Sequence, residues 1–267
     1  MKQFLIIAAG MLMLSACNDN KEKEGEKKAM FSDLVADGLK GNISVIEEAP
    51  YKTDSTGKAG TMDSCCISVS EYDENGNNVK TISKDSKGTV KNETVTSRYE
   101  NGMFQGQKSM KDGKITNSFL TTIDDKGNYN GGSVSDSTGK MELYYTGLSQ
   151  NEQGQVLSWK QWDKDSVFRM EGSATYDKYL QTSFTMKDSV GKVKNSSASK
   201  YNDKGEQTEV SNTNVGKDST TTKVTKYTYD AHDDMGNWTQ RTTWNDKGKA
   251  TSITKRTYTY RKEEAKK

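Results

Sequence analysis

The stretch YTYDAHDDMGNW, residues 227–238, holds the only histidine of the chain, His232, with Asp230, Asp233 and Asp234 around it. An imidazole among carboxylates is the residue set for a metal site, or for a general base oriented by an acid. A single histidine excludes multi-histidine metal sites, and a Ser-His-Asp triad would rest wholly on His232. A calcium loop needs a longer run of oxygen ligands than these positions supply. The stretch also falls where a turn is due, and the step from Gly216 to Gly236 is longer than the usual spacing of the series. It therefore reads as an extended hairpin loop with extra residues over Ala231–Asp234. No catalytic residue, metal or cofactor is expected.

Other catalytic sets are missing. The sequence has no G-x-S-x-G elbow, P-loop, H-E-x-x-H or dinucleotide fingerprint. Carboxylates are plentiful but sit in Asp-rich turns, which favours a solvated edge over a glycosidase pair. Cys65 and Cys66 are adjacent. Neighbours on a strand face opposite ways, so one core thiol and one exposed thiol is the plain expectation. A vicinal disulfide is the rarer alternative, and the pair is no zinc pattern. Trp159, Trp162, Trp238 and Trp244, with Tyr144, Tyr145, Tyr258 and Tyr260, are candidates to stack on sugars or grip a partner. Cross-strand packing is the plainer role for them.

The N-terminus carries a clearer signal. Lys2 precedes an apolar run, Phe4 to Leu14, of secretory-signal length and too short for a permanent span. Leu14-Ser15-Ala16-Cys17 then resembles the lipobox of bacterial lipoproteins. The resemblance implies that Cys17 becomes the mature N-terminus and carries lipid, at about 0.8 kcal/mol of anchoring per buried methylene. Residues 18–29, including NDNKEKEGEKK, are too charged to order themselves and read as a tether. The leading Asn-Asp loosely resembles the acidic signals that send some lipoproteins to the cell surface.

Composition narrows the class. Hydrophobic residues make up 31% of the chain, mean hydropathy is -0.95, and 39 basic residues nearly balance 37 acidic ones. Such interspersed charge gives no basic stripe, so no nucleic-acid partner is expected. Thirteen tyrosines with abundant Thr and Val favour strands.

Turn signals recur every 11 to 15 residues or so, among them YDENGN, DDKGN, YNDKGE and WNDKGK. Asp and Asn open such turns and Gly closes them. About fifteen strands are expected after roughly residue 42. Period two puts Phe168, Met170, Gly172, Ala174 and Tyr176 on one face, Leu143 with Tyr145, and Trp238 with Trp244. A short helix over Met30–Leu39 would cap the first sheet edge. The expected division is 1–17 signal and lipobox, 18–29 tether, 30–262 β-repeat domain, 263–267 charged tail. The expected fold is all-β: an elongated, twisted antiparallel β-meander of about a dozen hairpin repeats, with a β-sandwich or wide barrel as the alternative.

YDENGN at 72–77, YNDKGE at 201–206 and YDAHDDMGNWTQRTTWNDKGKATSITKRTYTY at 229–260 resemble YD/RHS-type repeat proteins. That resemblance implies a long sheet twisting into a spiral or shell. Large members enclose a toxic C-terminal domain; here no cargo domain is expected, and a dozen hairpins look too few to close a shell.

Five tripeptides, beginning at Asp54, Asp136, Asp165, Asp188 and Asp218, read Asp-Ser-Thr or Asp-Ser-Val. They resemble an O-glycosylation acceptor of exported bacterial proteins, which implies modification at Ser55, Ser137, Ser166, Ser189 and Ser219. Asp-Ser is also good turn chemistry by itself. The sequence thus points to a non-enzymatic lipoprotein of the bacterial envelope, anchored by lipid in the outer membrane, with a β-repeat surface for a protein or glycan ligand. Alternatives are an envelope polysaccharide hydrolase using turn carboxylates, and an immunity-like partner of an RHS toxin.

Overall fold

The structure is a computed structural model that describes residues 32–54, 57–100 and 102–262. The signal segment, Cys17, the tether, Ser55 and the tail at 263–267 lie outside the described residues. One helix, α1 (Asp33–Ala36), precedes the strands β1 (Ile43–Thr53), β2 (Ala59–Met62), β3 (Ile67–Tyr72), β4 (Asn78–Lys84), β5 (Val90–Arg98) and β6 (Phe104–Lys111). Next come β7 (Lys114–Ile123), β8 (Tyr129–Asp136), β9 (Met141–Gln150), β10 (Val156–Asp163), β11 (Phe168–Asp177) and β12 (Leu180–Asp188). The last are β13 (Val193–Tyr201), β14 (Gln207–Val215), β15 (Thr220–His232), β16 (Trp238–Trp244) and β17 (Ala250–Tyr260).

Each strand from β3 to β17 pairs antiparallel with the next, and β1 pairs with both β3 and β17. The sheet is therefore a closed barrel of sixteen strands, with β2 a short ribbon paired to the far end of β1. This corrects the open meander and bears out the wide barrel. Ile46 opposite Tyr258, and Glu48 opposite Arg256, are part of the seam. Closure removes both sheet edges, so the N-terminal helix has no edge to cap. That helix is also only four residues long, and its segment fills the barrel mouth instead.

The turns follow one chemistry. At Asp124 the carboxylate accepts the amides of Lys126 and Asn128 at 2.9 and 2.8 Å, while Gly127 closes the turn at φ 74°. Glycine adopts that left-handed geometry without a Cβ clash. Asp73, Asp85, Asp136, Asp188 and Asp233 make the same pair of bonds, as do Asn202 and Asn245. Ser166 stands at the glycine position of its turn with φ 59°. Hairpins alternate between two rims: the near rim, where β1 begins and β17 ends, and the far rim.

Cross-strand partners share a face, so the register assigns every side chain to wall or lumen. From β7 to β12 the lumen face is apolar. Phe119, Val134, Tyr145 and Trp159 form its buried core, with Leu143, Met170, Phe184 and Met186 packed on it. Edge-on ring contacts link Phe119 to Tyr145 at 5.8 Å and Tyr145 to Trp159 at 5.5 Å. Trp159 lies over Gly172, where an added Cβ would come within 2.4 Å of the indole. Elsewhere the lumen face is Ser70, Thr81, Thr94, Ser197, Asn212 and Thr225. A sixteen-stranded barrel is wide enough for a wet lumen, which explains the low apolar content.

The outer face carries charge. Lys80 pairs with Glu93 at 3.0 Å, Glu171 with Lys187 at 3.5 Å, and Glu209 with Lys200 at 2.8 Å. Outward apolar side chains include single ones such as Val95 and Leu120 and one aromatic cluster, Tyr144, Trp162 and Phe168.

Period two fails at bulges. A register shift between Gln161 and Trp162 puts Phe168 against Trp162, off the face of Met170. Irregularities near Ala231 turn Trp238 inward, while Trp244 stays outside and donates to the Thr228 hydroxyl at 3.0 Å.

Candidate functional site: the plugged mouth

The segment from Ser32 to Asn42 crosses the near mouth and is pinned on several sides. The Ser32 hydroxyl caps α1 by accepting the Val35 amide at 3.3 Å. Asp33 accepts the Asn78 amide at 2.7 Å and pairs with Arg98 of β5. The Leu34 amide donates to the Gly76 carbonyl at 3.1 Å. On another side the Asn237 side chain accepts the Lys40 amide at 2.8 Å and donates to its carbonyl at 2.9 Å. Leu34, Leu39, Ile43, Ile46 and Tyr72 pack together beneath it. Burial raises the Asp33 carboxyl above its usual range, against the pull of Arg98 and the Asn78 amide.

Behind this plug lies a cavity of about 300 Å³. Its wall combines Asp37 and Lys40 of the plug with Gln181, Tyr201, Tyr229, Trp238, Arg241 and Arg256 of the barrel. Arg256 sits 3.8 Å from the Trp238 ring and pairs with Glu48 through Nε at 2.7 Å. Burial works against the Arg256 charge, but Glu48 and Tyr258 hold the guanidinium above its ordinary range. Arg241 lies between two rings, 4.6 Å from Tyr227 and 4.9 Å from Trp238.

Asp37 lines this cavity and is exposed to solvent on its open side. Burial pushes its carboxyl up to about 7; Arg256 opposes the shift, and Asp33 and Glu48 reinforce it. Burial likewise raises the Tyr201 and Tyr229 hydroxyls. Both are spent on the wall: Tyr201 donates to the Gln181 carbonyl at 2.9 Å, and Tyr229 to that of Gln207 at 2.8 Å.

Two residues of the cavity wall, Arg241 and Gln181, each carry a buried donor, Nε and Nε2, with no hydrogen-bond partner. Asp37, Gln181, Tyr201, Tyr229, Arg241 and Arg256 were not singled out as site residues from the sequence. Tyr201 and Tyr229 read there only as repeat positions. The one local signal for Arg241 is parity, which sets it opposite Gln240 and Thr242.

The residues singled out from the sequence disperse. His232 is the last residue of β15, not part of an extended loop, because the extra residues lengthen and bulge that strand. Its Nε2 meets Glu206 Oε1 at 2.6 Å. Asp230 instead accepts from Thr242, and Asp233 holds its own turn. Among the described residues no cluster of His, Cys, Asp and Glu could hold a metal. Trp159 and Trp238 face inward. Trp162 and Trp244 face outward, and Trp162 stacks on Tyr144 at 6.3 Å. Cys65 and Cys66 are both exposed and joined to each other, so neither is a core thiol. Their bend lies off the strands, where alternation does not apply. Ser137, Ser166, Ser189 and Ser219 are exposed, and all four lie on the far rim, opposite the plug.

No family model matches the chain, and neither does any curated protein. Solved structures do. A porin-like protein from Bacteroides uniformis is 13% identical with TM-score 0.51, over 81% of this chain and 98% of that one. A porin-like protein from Bacteroides vulgatus is 11% identical with TM-score 0.34, over 82% and 99%. The Photorhabdus luminescens Tc holotoxin pore is 13% identical with TM-score 0.30, over 86% of this chain and 13% of that one. The Bacteroides uniformis likeness is one of fold: a β-barrel of nearly this extent.

Proposed function

We propose that this chain is a non-enzymatic lipoprotein of the bacterial cell envelope that binds or scaffolds a protein or glycan, with the mouth cavity as its binding site. Cys17 carries the lipid, residues 18–29 are the tether, and the plug joins the tether to the barrel. The observation that carries the reading is the inverted polarity of the barrel. Its outer wall bears ion pairs such as Lys80–Glu93 and Lys200–Glu209 beside one aromatic cluster around Trp162, while its largest buried apolar cluster faces the lumen. A lysine or arginine at the midplane of a lipid-facing barrel wall costs about 2–4 kcal/mol. A wall of this kind belongs in water, and lipid on Cys17 then supplies the attachment.

The turn carboxylates that the hydrolase alternative calls on favour it less. Asp85, Asp124, Asp136, Asp163 and Asp188 accept backbone amides within their own turns, and their carboxyls are held below the ordinary range. Such groups are poor proton donors near neutral pH. A glycan array and a pull-down from envelope extracts test the binding reading. A specific partner in either is the expected result, and silence in both contradicts it.

A further inference from the structure

We propose that the cavity behind the plug binds a monosaccharide that carries a carboxylate. This rests on the binding reading above and gives its ligand a chemical class. The first argument is charge. Arg256 is committed to Glu48, and Glu206 to His232. Among the described residues Arg241 has no carboxylate in ion-pair range, yet it is held between the Tyr227 and Trp238 rings. A guanidinium fixed by its faces directs its N–H edge sideways, here toward the Tyr229 hydroxyl and the cavity, and its fork matches a carboxylate.

The second argument is the two orphaned donors. Arg241 Nε and Gln181 Nε2 are buried without partners in residues that line one cavity. Buried donors in a folded protein are normally paired, so two unpaired ones within residues of one wall mark that wall as rich in spare donors. The third is shape. A cavity of about 300 Å³ accommodates one sugar ring. Its aromatic wall suits a ring with apolar faces: the Tyr201 and Tyr229 hydroxyls are bound to the backbone, which leaves their rings to pack. Inorganic anions have no use for such walls, and a neutral sugar leaves Arg241 uncompensated.

Titration calorimetry on the full lipidated chain in mild detergent tests this, with glucuronate, galacturonate, glucose and inorganic phosphate as probes. The expected result is one site for at least one sugar acid with Kd below about 1 mM, and glucose and phosphate at least about tenfold weaker. Arg241→Gln is expected to lose about tenfold or more in affinity, with Arg241→Lys retaining part of it. If Arg241→Gln does not fold, Gln181→Leu reads the opposite wall and is expected to weaken the same sugar acid. The assignment is overturned if both sugar acids are silent on folded wild-type protein. It is also overturned if glucose or phosphate binds as well as they do, or if a folded Arg241→Gln keeps full affinity. A specific envelope protein or neutral glycan bound while both sugar acids stay silent overturns this ligand class and leaves the binding reading standing.

Discussion

The Tyr229 hydroxyl donates to the Gln207 carbonyl at 2.8 Å, joining the near-rim end of β15 to the first residue of β14. The same step recurs from Tyr176 to Val156 at 3.2 Å, Tyr201 to Gln181 at 2.9 Å and Tyr258 to Trp238 at 2.8 Å. From β11 to β17, every second strand thus carries near its end a tyrosine that ties it to its predecessor. This is the structural content of the tyrosine repeat. Tyr201→Phe and Tyr258→Phe should each cost about 0.5–1.5 kcal/mol, because each leaves a half-buried carbonyl without its donor. Denaturant unfolding of the single and double variants checks this, and the two losses should add because the sites share no partner.

Gly172 is expected to resist any side chain. Its missing Cβ is filled by the Trp159 indole, which belongs to the apolar sector of the lumen. Gly172→Ala should destabilise by about 1–3 kcal/mol through overpacking. Trp159→Leu in the same chain should recover part of that loss, as read from the unfolding midpoint.

Asp37 gives the fold a pH dependence of definite sign. Its carboxyl lies at about 7 in the folded chain, against an ordinary value of 3.8. Between those values the folded state holds a proton that the unfolded state has released, so stability falls as pH rises through the window. Asp37→Asn should melt higher than wild type at pH 8, and the gap should close below about pH 4. An equal gap at both pH values would remove Asp37 as its source.

The far rim carries the testable modification. Ser137, Ser166, Ser189 and Ser219 are exposed there, on the side away from the plug. Their neighbours Asp136 and Asp188 are already explained by turn bonds. Intact-mass measurement on protein from its native host should show added mass beyond the lipid, mapping to far-rim peptides. A polypeptide mass with lipid alone would leave these tripeptides as turn chemistry only.

The turns were legible because they are local: an Asp or Asn four residues before the strand restarts, with Gly between, writes the whole hairpin. Closure was not legible. It depends on β1 meeting β17 across more than two hundred residues, and thin apolar faces look alike in an open sheet and a wide barrel. Alternation failed at bulges, which separate Phe168 from Met170 and Trp238 from Trp244. The site was hidden for the same reason as closure. Asp37 and Arg241 reach one cavity only after Lys40 is pinned by Asn237. The most conspicuous cluster, around His232, was a strand end in which His232 meets Glu206, Asp230 serves Thr242 and Asp233 holds its own turn.

The most direct test of the account is where the barrel goes without its lipid. Residues 18–267, exported behind an ordinary cleavable signal peptide, should appear in the soluble envelope fraction and stay in solution without detergent. The intact chain with Cys17 should stay with the membrane. A lipid-free barrel that still sediments with membranes and needs detergent for extraction would show a wall built for lipid, and would contradict the account.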